Sequence, residues 1–309
     1  MPAPRCALPL WPTPTASPRP AAARLLAPLS NRRIERGQGR YPIERIVYVV
    51  DQAVAQLQGT RHLVLIGATP PVTFFAYPGK PGRPYPPETE IHCLAGPGDD
   101  LPAALADLAD ALDAPLLAGP SDLPRPVAAL GAITAEAVAQ TLAALLPENA
   151  IVVDESVSFG RPFYPRLQAA APHDWLQLTG GAIGDGLPMA TGAAIGAPGR
   201  RVVTLQADGS AMYTLQALWT QAREALDVTT VLLSNRKYQI LFGELASVGA
   251  AAGPAASSLF DLGNPGIDWV HLARSLGVEA ARAEDMERFG HAFRQANGGP
   301  GPSLIELVI

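Results

Sequence analysis

The 309 residues carry 23 Lys and Arg against 28 Asp and Glu, a formal charge of −5, and 48% are hydrophobic. That is enough for about two domains with cores of their own. No apolar run reaches the length of about 18 residues that a membrane-spanning helix needs, and no basic cluster follows residue 40 to suggest nucleic acid. Two cysteines, Cys6 and Cys93, make no disulfide framework and point to reduced thiols in a cytoplasmic protein.

Residues 1–33 read as a disordered tail. Pro2, Pro4, Pro9, Pro12, Pro14, Pro18, Pro20 and Pro28 interrupt any helix, and no acid precedes Glu35. The charge is +6 through Arg40 and −11 beyond it. The prolines rule against the amphipathic helix of an organellar transit peptide, and no apolar stretch fits a secretory signal. Downstream, spacing predicts a helix over 42–57, a buried strand over 62–67 and a proline- and aromatic-rich loop over 74–87. A further helix is predicted over 100–112, where Leu101, Leu105, Leu108 and Leu112 form one stripe. Prolines mark a linker, placed at 121–129. His62, His92, His173, His271 and His291 lie far apart, none at metal-ligand spacing from a second ligand, so each is expected to be structural or solvated.

The second half alternates more regularly. A helix over 134–146 leads to a strand over 150–153, then Asp154-Glu155-Ser156-Val157-Ser158. A glycine loop with Gly180, Gly181, Gly184 and Gly186 precedes a helix of small residues. A strand over 201–206, a helix over 214–226 and a strand over 228–233 fit one right-handed βαβ unit. Asp208 and Asn235 then stand just past the carboxyl ends of two parallel strands, the edge where open α/β sheets bind ligands. A carboxylate and an amide oxygen are hard donors of the kind magnesium accepts beside substrate phosphates. Gly209 lets the chain bend tightly there, and Ser210 and Ala211 open the following turn, where free N–H groups favour an anion. Taken alone, Asp208-Gly209 reads rather as an ordinary strand-to-helix turn, since such turns are common; the matched second element reverses that and favours a metal and phosphate site. Residues 239–262, broken by Gly243, Gly249, Gly253 and Pro254, read as a mobile segment. A helix over 266–276 and strands over 278–281 and 303–308 complete the chain.

The Ala207-Asp208-Gly209 and Ser234-Asn235 pair, with 24 residues between Gly209 and Ser234, resembles the cofactor motif of thiamine diphosphate enzymes. The segments at 178–197, 209–220 and 265–273 fit the same family in the same order, especially acetolactate synthase large subunits and benzoylformate decarboxylase-like enzymes. The resemblance is strong over 130–309 and weaker over 34–120. It implies an α/β fold with a parallel sheet flanked by helices over 130–309, preceded by a partial middle domain at 34–120 with an exposed sheet edge. It also implies thiamine diphosphate and Mg²⁺ as cofactors. Asp208 and Asn235 would hold the metal by side chains and Lys237 by its carbonyl, while Ser210 and Ala211 N–H groups meet the diphosphate. Ile183 would wedge the cofactor into its bent shape, the Gly181 carbonyl would take its amino group, and Ser158 would offer a hydroxyl. An ordinary capped turn explains 154–158 equally well.

The chain departs from the motif at Ala207, where the family has glycine, and at Ser234, where it has asparagine. A methyl at 207 requires a backbone angle that tolerates Cβ. The family's catalytic glutamate lies in a pyrimidine-binding domain, and residues 1–33 cannot supply one. The reading is therefore a 2-keto acid decarboxylase or carboligase module that is inactive alone. The alternatives are a non-catalytic remnant, a subunit needing a separate pyrimidine-domain partner, or a poorly folding fragment. A homodimer is expected by analogy.

Overall fold

The computed structural model describes residues 23–29, 31–114 and 123–309. In chain order the first elements are β1 (Leu26–Ala27), β2 (Arg33–Arg36), β3 (Glu44–Arg45), α1 (Val50–Leu57), β4 (His62–Ile66), β5 (Glu90–Ala95) and α2 (Leu101–Ala111). There follow α3 (Ala135–Leu145), β6 (Ile151–Glu155), α4 (Phe163–Arg166), β7 (His173–Gln177), α5 (Gly186–Gly196), β8 (Val202–Ala207), α6 (Asp208–Ala211), α7 (Ala217–Arg223) and β9 (Val228–Ser234). The last are α8 (Gln239–Ser247), α9 (Pro254–Phe260), α10 (Trp269–Ser275), β10 (Glu279–Ala283), α11 (Met286–Gly298) and β11 (Ser303–Val308). They fall into two compact units, one of described residues 23–31 and 41–114, the other of 32–40 and 123–309.

The smaller unit has two two-stranded parallel sheets, β1 with β3 and β4 with β5. Its small core gathers Ile46, Ala53, Leu57 and Tyr85. Helix α2 starts where Asp100 Oδ1 accepts the Ala103 N–H at 3.1 Å, a regular N-cap, yet it buries no residue. Val64, Ile91 and Leu112 stay exposed. A two-stranded sheet has too few neighbours to cover both faces.

The larger unit carries a seven-stranded sheet in the order β10-β11-β9-β8-β6-β7-β2, parallel except for β2, which runs antiparallel to β7. Parallel strands need helical crossovers on both faces, so central strands read as continuous apolar runs. Every residue of β9 is buried. Its alternating side chains go to opposite layers: Val228 and Leu232 join cores shared with α5, α7 and α10, while Thr229 Oγ1 bonds Asn297 of α11 at 2.9 Å. Phe289 and Phe293 of α11 are fully buried.

Several boundaries differ from the sequence expectation. The tail predicted for 1–33 lies outside the described residues through 22. Beyond that, Ala27 is buried within β1 and Arg33 opens β2, because a short apolar run after Pro20 pairs with β3. Residues 32–40 join the larger unit instead of the middle domain. Ile34 sits opposite Trp175, Gln38 N donates to Ala170 O at 2.9 Å, and the Arg36 guanidinium lies 3.6 Å over the Tyr164 ring. Gly37 makes the turn that follows, with φ +98° and a Cβ position only 2.4 Å from Ala171 O. The helix predicted over 42–57 begins only at Val50. The helix predicted over 214–226 shrinks to α7, because residues 208–211 form their own helical turn. The segment 239–262 forms α8 and α9, joined where Phe242 meets Phe260 edge-on at 5.1 Å; its glycines fall mainly between the two helices. Strand β7 and helix α11 were not foreseen.

If β2 is an integral strand, Ile34→Ala should destabilise the larger unit by about 2–4 kcal/mol, the usual cost of truncating a buried aliphatic side chain. Urea unfolding followed by tryptophan fluorescence checks this, since Trp175 and Trp269 are buried in that unit. An unchanged midpoint would show that β2 adds nothing to the stability of the larger unit.

Candidate cofactor site

Strands β8 and β9 are adjacent and parallel, with Ala207 opposite Leu233, so their carboxyl ends release the chain side by side. Ala207 adopts φ −74° and ψ 144°, an extended conformation open to any L-residue, so its methyl imposes no strain. Ser234 is buried as the last residue of β9, where its carbonyl accepts the Ile309 N–H. Both departures from the motif are therefore accommodated by regular strand geometry.

Asp208 is buried at the start of α6. Its Oδ1 accepts the Gly209 N–H at 2.8 Å and its Oδ2 the Arg236 N–H at 2.6 Å. The carboxylate thus spans from one strand end to the turn after the next. Burial raises its pKa above the ordinary 3.8, while backbone N–H groups of Arg236, Gly209 and Asn235 pull it back. Asn235 Oδ1 accepts the Lys237 N–H at 3.1 Å, closing a turn in which Arg236 takes the left-handed region at φ 57°. The Lys237 carbonyl accepts the Gln239 N–H. Each of these oxygens retains acceptor capacity beyond its one N–H, so the donor set suits a hard divalent cation.

Gly209 is needed for a second reason besides bending. A Cβ there would lie 2.6 Å from the Tyr238 ring. Ser210 and Ala211 complete the buried turn α6, whose leading N–H groups lack intrahelical acceptors. Ser210 Oγ donates to Ala207 O and accepts from Gln206 Nε2 at 2.8 Å.

The glycine loop is held from below by Glu155, a residue the sequence did not single out. Its Oε1 accepts the Gly184 N–H at 2.6 Å, and its Oε2 accepts the Gly186 N–H and Gln206 Nε2, both at 2.8 Å. Burial raises the Glu155 pKa, and these bonds counter it. Gly180, Gly181 and Gly184 all have positive φ, from 65° to 94°. The Gly181 carbonyl accepts the Ile183 N–H at 2.9 Å, and the Ile183 side chain is 46% exposed. Ser158 is half-buried in the turn after β6, beside Val157 at φ 51°. Between them, Ser156 Oγ bonds Asp154 Oδ1 instead of pointing outward. The structure joins Ser210 to the Gly184–Gly186 backbone through Gln206 and Glu155; Ser158 stands outside that network. The signal for Glu155 was present as an acid at the end of an apolar strand, but only the sheet order places it beneath residues 184–186.

Residues 163–307 match the family model described as thiamine pyrophosphate enzyme, C-terminal TPP binding domain. A Mycobacterium tuberculosis protein provisionally named acetolactate synthase large subunit IlvX is 49% identical over 279 residues, covering 89% of this chain and 54% of its own length. Benzoylformate decarboxylase of Pseudomonas aeruginosa is 35% identical over 193 residues, 61% of this chain and 35% of that enzyme. Among solved structures, the thiamine diphosphate-dependent 4-hydroxybenzoylformate decarboxylase of Rhodococcus jostii RHA1 aligns with a TM-score of 0.75 at 26% identity. That alignment covers 92% of this chain and 55% of the other. The chain spans about half the length of the mycobacterial relative and less of the pseudomonad enzyme. Residues 163–307 are thus similar to the C-terminal TPP binding domain of thiamine pyrophosphate enzymes, and the chain is similar to an acetolactate synthase large subunit and a benzoylformate decarboxylase over part of their length.

Proposed function

We infer that the larger unit binds thiamine diphosphate through Mg²⁺ and serves the decarboxylation or carboligation of 2-keto acids. The observation that carries this reading is the buried Asp208 carboxylate, tied by backbone N–H groups to both strand ends. A buried carboxylate is costly when its charge is met only by N–H dipoles, and a divalent cation offsets that cost. Asp208 and Asn235 would hold the metal by side-chain oxygens and Lys237 by its carbonyl. Ser210 and Ala211 would direct N–H groups to the diphosphate.

When bound, the cofactor supplies the electron sink for 2-keto acid chemistry, and the protein positions it. The Gly181 carbonyl would accept the cofactor's amino group with the lone pair left by Ile183. The exposed Ile183 side chain would press the cofactor into its bent form. Glu155 keeps Gly184 and Gly186 fixed, so the loop approaches without rearrangement. Ser158 would add a hydroxyl from the turn after β6. Among the described residues no helix is long and apolar enough to cross a membrane.

The family's activating glutamate belongs to a pyrimidine-binding domain. A second reading is a cofactor-binding subunit completed by a separate partner or by dimerisation. Both readings require the cofactor site. They differ in whether a supplied pyrimidine domain restores turnover.

Calorimetry with thiamine diphosphate and Mg²⁺ should give binding heat for the 309-residue protein and at least a tenfold weaker affinity for Asp208→Ala. Equal heats would remove the metal assignment. Because burial raises the Asp208 pKa, its carboxylate takes up a proton at a higher pH than an ordinary aspartate does, and that proton competes with the cation. Mg²⁺-dependent affinity should therefore fall as the pH is lowered from 7.5 toward 5.

The same 309 residues with saturating cofactor and Mg²⁺ should release no CO₂ from pyruvate or benzoylformate in steady state. Sustained release without a partner would show that they contain all the catalytic groups.

A further inference from the structure

The smaller unit holds a second cluster of donors with no part in the site above. Strands β4 and β5 are parallel, with His62 opposite Glu90 and Val64 opposite His92. Glu90 and His92 are two residues apart on one strand, so they face the same way, and His62 faces them from the neighbouring strand. Backbone register alone thus assembles two imidazoles and a carboxylate on one face. Scattered in sequence, these histidines were expected to be structural or solvated; His62 and His92 are indeed exposed, and strand pairing in addition sets them side by side.

The side chains converge. His62 Nδ1 lies 3.2 Å from His92 Nε2, and Glu90 Oε2 lies 3.6 Å from the first and 3.8 Å from the second. A point equidistant from three atoms with these separations lies about 2.1 Å from each, the bond length of zinc to imidazole nitrogen and carboxylate oxygen. The 3.2 Å contact is also compatible with one ring donating to the other, but that bond leaves the carboxylate unused at 3.6–3.8 Å. A cation satisfies all three donors at once.

We propose that His62, Glu90 and His92 form a site for a borderline divalent cation of the zinc class, with water in the fourth position. The donor set separates it from the Asp208 site. Imidazole nitrogen selects zinc, nickel or copper, whereas a carboxylate with amide and carbonyl oxygens suits magnesium. All three residues are exposed, with side-chain exposures of 58%, 68% and 51%, so the ion has an open entry path. Bound there, it clips β4 to β5, which among the described residues form a sheet of two strands.

The untagged full chain, in excess Mg²⁺, should bind one Zn²⁺ in competition with a chromophoric chelator. His62→Ala and His92→Ala should each weaken binding at least tenfold, Glu90→Gln several-fold, and the double histidine variant should abolish it. Asp208→Ala should leave zinc affinity unchanged, so loss of the magnesium site does not affect the outcome. Zn²⁺ should also raise the melting temperature of the wild-type chain and leave that of the double variant unmoved. X-ray absorption on the zinc-loaded wild type needs no variant and should show two imidazoles with oxygen. Failure to bind at micromolar Zn²⁺, undiminished binding by the double variant, or a sulfur-containing shell from Cys93 would each overturn the proposal.

Discussion

The cofactor site depends on one buried carboxylate that stitches two strand ends together. Adjacent parallel strands deliver their chains side by side, but nothing in a parallel ladder fixes the loops beyond it. Asp208 does so by taking the Gly209 N–H on one oxygen and the Arg236 N–H on the other. The left-handed Arg236 turns its neighbours so that Asn235 can cap Lys237 with its own side chain. Remove the carboxylate and both turns lose their common anchor, as well as the strongest charge available to a cation. The arrangement costs desolvation energy, visible in the raised pKa, and that cost is what a bound metal would offset.

A second buried acid performs the matching task for the glycine loop. Residues at positive φ, such as Gly180, Gly181 and Gly184, are chosen for freedom, and freedom is a liability in a loop that must meet a ligand. Glu155 converts it into a fixed shape by accepting two loop N–H groups, and Gln206 links it onward to Ser210. Gly186 has no room for a side chain in this network, since a Cβ would fall 2.2 Å from Gln206 Oε1. The loop and the metal turn are thus coupled through buried polar side chains, which transmit displacement more directly than solvated ones.

What the sequence made legible follows from range. Strands β8, β9 and β11 are short, mostly apolar and rich in Val, Leu and Thr, and their limits were read to within a residue or two. The spacing of Asp208 and Asn235 was legible because a single βαβ unit contains both. Long-range partners were not. Strand β2 pairs with β7, which begins 137 residues after Ile34's neighbour Arg36, so nothing local betrays it. Arg36 entered the sequence reading only as one of the charges before residue 41; packed over Tyr164 it is buried. Helix α8 was obscured because Gly243 sits inside it, and propensity alone underrates a helix whose neighbour α9 supplies the Phe260 contact.

The same limit on range explains why the two proposed metal sites were unequally visible. Ligands on the tips of consecutive parallel strands carry a sequence interval set by the crossover helix, and the interval is diagnostic. Ligands on the faces of two paired strands carry only the length of whatever loop joins those strands. Between His62 and Glu90 that loop is proline-rich and irregular, so 27 residues between them mean nothing until the register is known. Once it is known, parity does the rest: two positions apart on one strand and directly opposite on the other is the smallest pattern that puts three side chains on one face. Regular crossovers thus leave their sites readable in one dimension, whereas sites that arise from pairing alone require the fold first.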